Sequence, residues 1–256
     1  MARNTMPPFS IEQTIRISFG VIGRNWMTFL LFAVGAEFVN HVLRFEVLAG
    51  SAGIWLVGSI LAVTVDAGSF SILASAISYG VACDVQGRRA DLTGMKRAAR
   101  DTFFPVFVLL LVPNAVAVVV NALLVVEDQS LLAAFVRGWG PFLGYAAVLA
   151  MFWTAVPATA LERPGFVSAL RIGYDQSRGR RFGLFAMVLL IFVIFAAVGV
   201  ALFFLLDTGR WSIFAAAVGS NALTAVTMAV SYFLLGGSGG RPGQEIDDEK
   251  ILSVFD

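Results

Sequence analysis

Six stretches of roughly 20 mostly apolar residues punctuate this 256-residue chain: Trp26–Leu43, Ile54–Val81, Phe103–Val126, Pro141–Leu161, Phe182–Leu206 and Trp211–Leu235. About 20 apolar residues is the length a helix needs to cross the ~30 Å hydrocarbon layer of a bilayer. Hydrocarbon offers no hydrogen-bond partners, so a crossing segment of this kind must satisfy its backbone within its own helix. The pattern therefore predicts an all-α, polytopic membrane protein with six transmembrane helices. Composition agrees: 58% of residues are hydrophobic and 14% charged, against about 45–50% and 25% in ordinary soluble domains.

Charge placement sets the expected orientation, because cytoplasmic loops retain Lys and Arg. With the N-terminus inside, the segments before helix one, between helices two and three, between four and five, and after six hold 15 of the 18 basic residues. Only Arg44, Arg137 and Arg210 fall outside. Both termini are therefore expected in the cytoplasm and the chain in a bacterial inner membrane. Some 25 residues precede the first apolar stretch and no small-residue cleavage site follows it, so no cleaved signal is expected. The net charge of +1 argues against nucleic acid as a partner, since few phosphates would be neutralised.

Each outward helix follows a short basic amphipathic stretch. The first is Ser10–Asn25, where Ser10 is placed to cap a helix carrying Arg16 and Arg24. The second, Asp91–Thr102, carries Lys96, Arg97 and Arg100, and the third, Gly165–Arg181, carries Arg171, Arg178, Arg180 and Arg181. Ile15-Arg16-Ile17-Ser18-Phe19 matches Leu170-Arg171-Ile172-Gly173-Tyr174 in character, and Gly23-Arg24-Asn25-Trp26 matches Gly179-Arg180-Arg181-Phe182. Three tandem units are expected, approximately 9–81, 91–161 and 165–235, each an interfacial helix followed by a hairpin. These stretches suit the headgroup boundary, with these basic residues meeting anionic lipid. A Gly-rich linker after Leu235 leads to an acidic tail, 236–256, expected to be a flexible cytoplasmic segment.

Several of these residues also resemble a known bacterial family, the membrane domain associated with glycerophosphoryl diester phosphodiesterases. The resemblance covers roughly Phe9 to Leu235. It rests on Phe9-Ser10-Ile11, Gly23-Arg24-Asn25, Pro157 with Glu162-Arg163, and Ala169-Leu170-Arg171 with Ser177-Arg178-Gly179. It implies a small six-helix inner-membrane protein. The catalytic domain that gives the family its name is a separate soluble barrel needing paired His, and this chain has one His.

Ionisable groups at bilayer depth are costly and so are candidate functional sites. Glu37 lies eleven residues after Trp26, about 16 Å along a helix. Glu37, Asn40, His41 and Arg44 share one face at i, i+3, i+4, i+7. Two readings stand: a proton or ligand site, or a structural pairing of Glu37 with His41 and Arg44 that reach outward. Asp66 in the second stretch is the other acid: it lies in the outer half of the crossing, within reach of His41 or Arg44, or at the interface if the crossing starts later. Asn114 and Asn121, seven residues apart beside Pro113, complete the candidate intramembrane set. Small and hydroxylated residues at Ala67, Ser71, Ala74, Ser75, Ser78 and at Ser220, Thr224, Thr227, Ser231 are expected to serve close helix packing.

Catalytic and cofactor signatures are absent from the sequence. There is no phosphate loop, nucleophile elbow or zinc helix, and one Cys, Cys83, permits no multi-cysteine metal site. No cofactor is expected. The expected function is that of a non-enzymatic scaffold, assembly or accessory protein contacting lipid headgroups and a membrane-protein partner or second copy. The alternative is a transporter or lipid-handling protein with a polar midplane site.

Overall fold

The computed structural model describes residues 9–50, 55–123, 131–206 and 209–236. Among these every regular element is helical: α1 (Ile11–Gly50), α2 (Trp55–Val85), α3 (Leu92–Leu123), α4 (Leu131–Met151), α5 (Ala155–Glu162), α6 (Phe166–Ser177), α7 (Arg181–Leu206) and α8 (Gly209–Leu234). Five helices (α1, α2, α3, α7 and α8) contain stretches long and apolar enough to cross a membrane. A sixth crossing exists if α4 and α5, bent by 48°, form one span. The acidic tail beyond Gly236 lies outside the described residues, as do the side chains of Arg44 and Asn121.

The expected boundary between interfacial and crossing helix appears as a bend at Asn25 in the first unit and as a separate helix in the third, and is absent from the second. Ser10 does open α1, with its Oγ accepting from Gln13 N at 3.2 Å. The helix then runs 40 residues with a single departure from helical backbone at Asn25 (φ −121°, ψ 21°). Asn25 Nδ2 donates to the Val21 carbonyl one turn back at 3.2 Å. Such side-chain competition for the backbone is a usual cause of a helix bend. The second amphipathic stretch continues into α3 without a break. Asp91 precedes that helix and its Oδ2 accepts from Gly94 N at 2.7 Å. Only the third stretch forms a separate helix, α6, shorter than expected because Gly179 (φ 78°) turns the chain before α7.

The fourth crossing differs most from its expected form. Pro141 sits inside α4 rather than at its start, and the helix breaks at Phe152–Thr154 before resuming as α5. Pro157 accounts for the break: it lacks an N–H, and its ring opposes the carbonyl four residues earlier, that of Trp153. Tighter turns bridge the gap, Phe152 N to Leu149 O and Ala155 N to Phe152 O. Ser177 of α6 places its Oγ 2.7 Å from the Met151 carbonyl, which the break deprives of its helical partner. Gly173 lets α6 approach this closely, because a Cβ there would lie 2.7 Å from Ala155 Cβ and 2.9 Å from Ala155 N.

At the centre, α2 packs against α1, α3, α5 and α8. Its Ala67, Ser71, Ala74, Ser75 and Ser78 are buried, as are Thr227 and Ser231 of α8. These are faces on which small residues allow helices to close together in lipid. Leu73, Ile77, Trp153, Met228 and Tyr232 fill the space between them. Large apolar residues such as Leu31, Val200, Phe204 and Ile213 remain exposed on the outside of the bundle. That is the arrangement expected where the surroundings are hydrocarbon rather than water.

Candidate functional site

Glu37 points into the bundle. It is 4% exposed and accepts a short hydrogen bond at Oε1 from Asn221 Nδ2 of α8. Asn40 Nδ2, one turn along α1, lies 3.3 Å from Oε2. The depths agree: Glu37 is twelve residues from the Asn25 bend, about 18 Å, and Asn221 is thirteen residues from the end of α8, about 20 Å. Two amide donors at mid-bundle thus hold a carboxylate where solvent is excluded. Asn40 Oδ1 is buried and accepts no hydrogen bond. His41 packs edge-on against Phe214 of α8, with ring centroids 5.8 Å apart.

Two of the remaining intramembrane candidates have described interactions of their own. Asp66 interacts electrostatically with Tyr145 of α4. Asn114 Nδ2 bonds back to the Leu110 carbonyl at 2.7 Å, a local use beside Pro113. The face predicted from spacing therefore supplies Glu37, Asn40 and His41, and its partner comes from α8. Asn221, the residue that completes the cluster, lies 184 positions away in sequence. A polar amide interrupting an apolar stretch was its only signal.

Two apolar grooves open on the sides of the bundle. One, of about 530 Å³, lies between α1, α2 and α3 and is lined by residues including Leu31, Val39, Val65 and Phe103. The other, of about 710 Å³, lies between α7 and α8, with Phe195, Gly199, Phe203 and Ala217 among its walls and Asn221 at one end. Asn221 thus belongs both to this groove and to the Glu37 cluster.

At the end of the bundle where the basic residues collect, Arg24 forms a bidentate pair with Asp84, Nη2–Oδ2 at 2.6 Å and Nε–Oδ1 at 3.1 Å. Asn25 Nδ2 also donates to Asp84 Oδ1 at 2.9 Å, and Asn25 Oδ1 accepts from Ala90 N at 3.4 Å. Arg24 was expected at lipid headgroups. It also clamps the bend of α1 to the end of α2, with 48% of its side chain exposed. A second pair, Arg163 Nη2 to Asp101 Oδ2 at 3.4 Å, joins the ends of α5 and the first turns of α3. Arg181 stacks over the Tyr174 ring at 3.9 Å and is half-buried, as is Arg180. Arg16, Lys96, Arg97, Arg100, Arg171 and Arg178 are exposed. Exposed Phe19, Trp26, Phe104, Phe166 and Phe182 accompany them, giving a rim of cations and apolar rings suited to a headgroup boundary.

Among the described residues no group of three or more His, Cys, Asp or Glu is arranged to hold a metal ion. Cys83 is buried. Comparison with protein-family models, with curated proteins and with solved structures gives no match.

Proposed function

We propose that this is a non-enzymatic inner-membrane protein that works as a scaffold, assembly or accessory subunit, with six crossings and both termini in the cytoplasm. The carrying observation is the clamped basic rim. Arg24–Asp84 and Asp101–Arg163 each tie the entry of an outward helix to the end of the returning one. The two pairs have opposite polarity and the same relative position, which supports a tandem organisation of units at about 9–81 and 91–161, with 165–235 as the third. Clamping fixes the cationic, aromatic rim as a platform for anionic headgroups and for a membrane-protein partner or second copy. The resemblance to the glycerophosphoryl diester phosphodiesterase membrane domain fits this reading and adds no chemistry to it.

Gentle native purification followed by mass spectrometry of everything retained tests the proposal. A co-purifying membrane protein or a homo-oligomer is expected, and its retention is expected to weaken when Lys96, Arg97 and Arg100 are changed together to Gln. Recovery of bare monomer under all mild conditions would sink it. A second reading, lipid handling at a polar midplane site, is favoured by one specific observation: the Glu37–Asn221 contact at mid-bundle depth beside an open groove.

A further inference from the structure

The α7/α8 groove has an apolar body and one polar end. Among the described residues, no Asp, Glu, Lys, Arg or His lines it. Its volume of about 710 Å³ falls within the roughly 300–1,000 Å³ typical of small-ligand sites. It exists because the facing residues are small. Gly199 sits against Ala216, and Gly219 makes room for the Phe195 ring. Its walls run from Phe203 and Ser212 at the outer part of the hairpin to Asn221 at mid-depth.

Asn221 gives that deep end a definite chemistry. Its Nδ2 is engaged by the Glu37 carboxylate, and no described residue donates to its Oδ1. With Glu37 ionised, the amide cannot turn over, because that would set Oδ1 against a carboxylate oxygen. Glu37 thereby fixes Asn221 as an acceptor, one that hydrocarbon cannot satisfy and that therefore costs free energy while unpaired. A complementary molecule must bring a donor to this point. An ammonium at about 20 Å from the helix end would carry a further desolvation cost, so an uncharged donor fits better.

We propose that the groove between α7 and α8 binds an uncharged lipophile from the bilayer, with a hydroxyl at its inner end donating to Asn221 Oδ1 and an apolar body against Phe195, Gly199, Phe203 and Ala217. Glu37 is the positioning residue that sets the orientation of the Asn221 amide. This assignment rests on the lipid-handling reading and does not depend on the accessory role.

The test is titration of the full-length purified protein in detergent, read by native mass spectrometry, with octadecanol and methyl octadecanoate as probes. The two share a chain, but only the alcohol can donate. One saturable octadecanol per protein is expected, bound about three- to tenfold more tightly than the ester, the range one net hydrogen bond supplies. Ala217→Phe fills the groove without touching Glu37 and should abolish the saturable site. Asn221→Leu should equalise alcohol and ester. Equal affinity of the wild-type protein for both probes overturns the hydroxyl assignment. Unchanged stoichiometry in A217F overturns the groove. Should N221L fail to fold, those two comparisons still decide.

Discussion

Glu37 shows what a single carboxylate can do in a helix bundle surrounded by hydrocarbon. Replacing it with Leu leaves the Asn40 and Asn221 amides without their acceptor, while Gln keeps an acceptor oxygen in place. Unpaired buried donors cost about 1–3 kcal/mol, and interhelical polar contacts in membranes are worth roughly 0.6–2 kcal/mol. Glu37→Leu should therefore lower thermal stability in detergent by about 1–2 kcal/mol, with Glu37→Gln retaining most of it. Equal midpoints for the two variants would show that the hydrogen bonds carry no weight. Asp91 operates at the water-exposed end. The Gly94 N–H donated to its carboxylate, with Tyr79 OH adding a second bond at 3.1 Å, lowers its pKa from 3.8. A lowered folded-state pKa stabilises above the unfolded value and loses that contribution as pH falls through the folded one. Asp91→Ala should cost about 1 kcal/mol as a lost helix cap at neutral pH. The gap between variant and wild type should close in denaturation curves taken progressively below pH 3.8.

Elements were legible in the sequence to the extent that one-dimensional signals set them. Apolar length located the crossings, and Ser10 marked the start of α1. Whether an amphipathic stretch bends away from its crossing is decided by tertiary contacts instead. Asn25 bends α1 by bonding to Val21 and Asp84, and Asp84 lies 59 residues away. The second stretch runs straight into α3, although its basic pattern resembles the first. Pro157 was visible, but Pro105 and Pro113 also lie inside a helix, α3, that continues through them. What distinguishes Pro157 is the neighbour at its break: α6 supplies Ser177 to the freed Met151 carbonyl and presents Gly173 to Ala155. Gly173→Val should force this contact apart, at the 1–3 kcal/mol typical of overpacking. Hydrogen exchange should then accelerate in α6 and around Phe152–Thr154 before it does in α2. Uniform acceleration across the bundle would assign Gly173 no particular role at the break.

For the whole molecule, the proposed orientation rests on the sorting of basic residues, and reporter fusions check it directly. Fusions at Gly50, Gln129 and Gly209 should read outside, and those at Gly94, Gly179 and the tail inside. One inverted fusion would require the topology to be redrawn. The intramembrane polar residues were visible one by one, since each interrupts an apolar run. Their distribution among partners was not, because it depends on which helices become neighbours. Glu37 goes to α8, and Asn114 returns to its own backbone.

The Arg24–Asn25–Asp84 clamp also bears on how the protein meets membranes of different thickness. A single crossing can tilt, and a loosely attached surface helix can rise or sink with the headgroups. Here the N-terminal part of α1 is tied through its bend to the end of α2, so its height is set by protein contacts. When the bilayer is thicker or thinner than that spacing, the lipid must deform around the protein, at fractions of a kcal/mol per Å of mismatch. A rigidly attached rim is therefore also a gauge, favouring regions of membrane whose hydrocarbon depth matches its own.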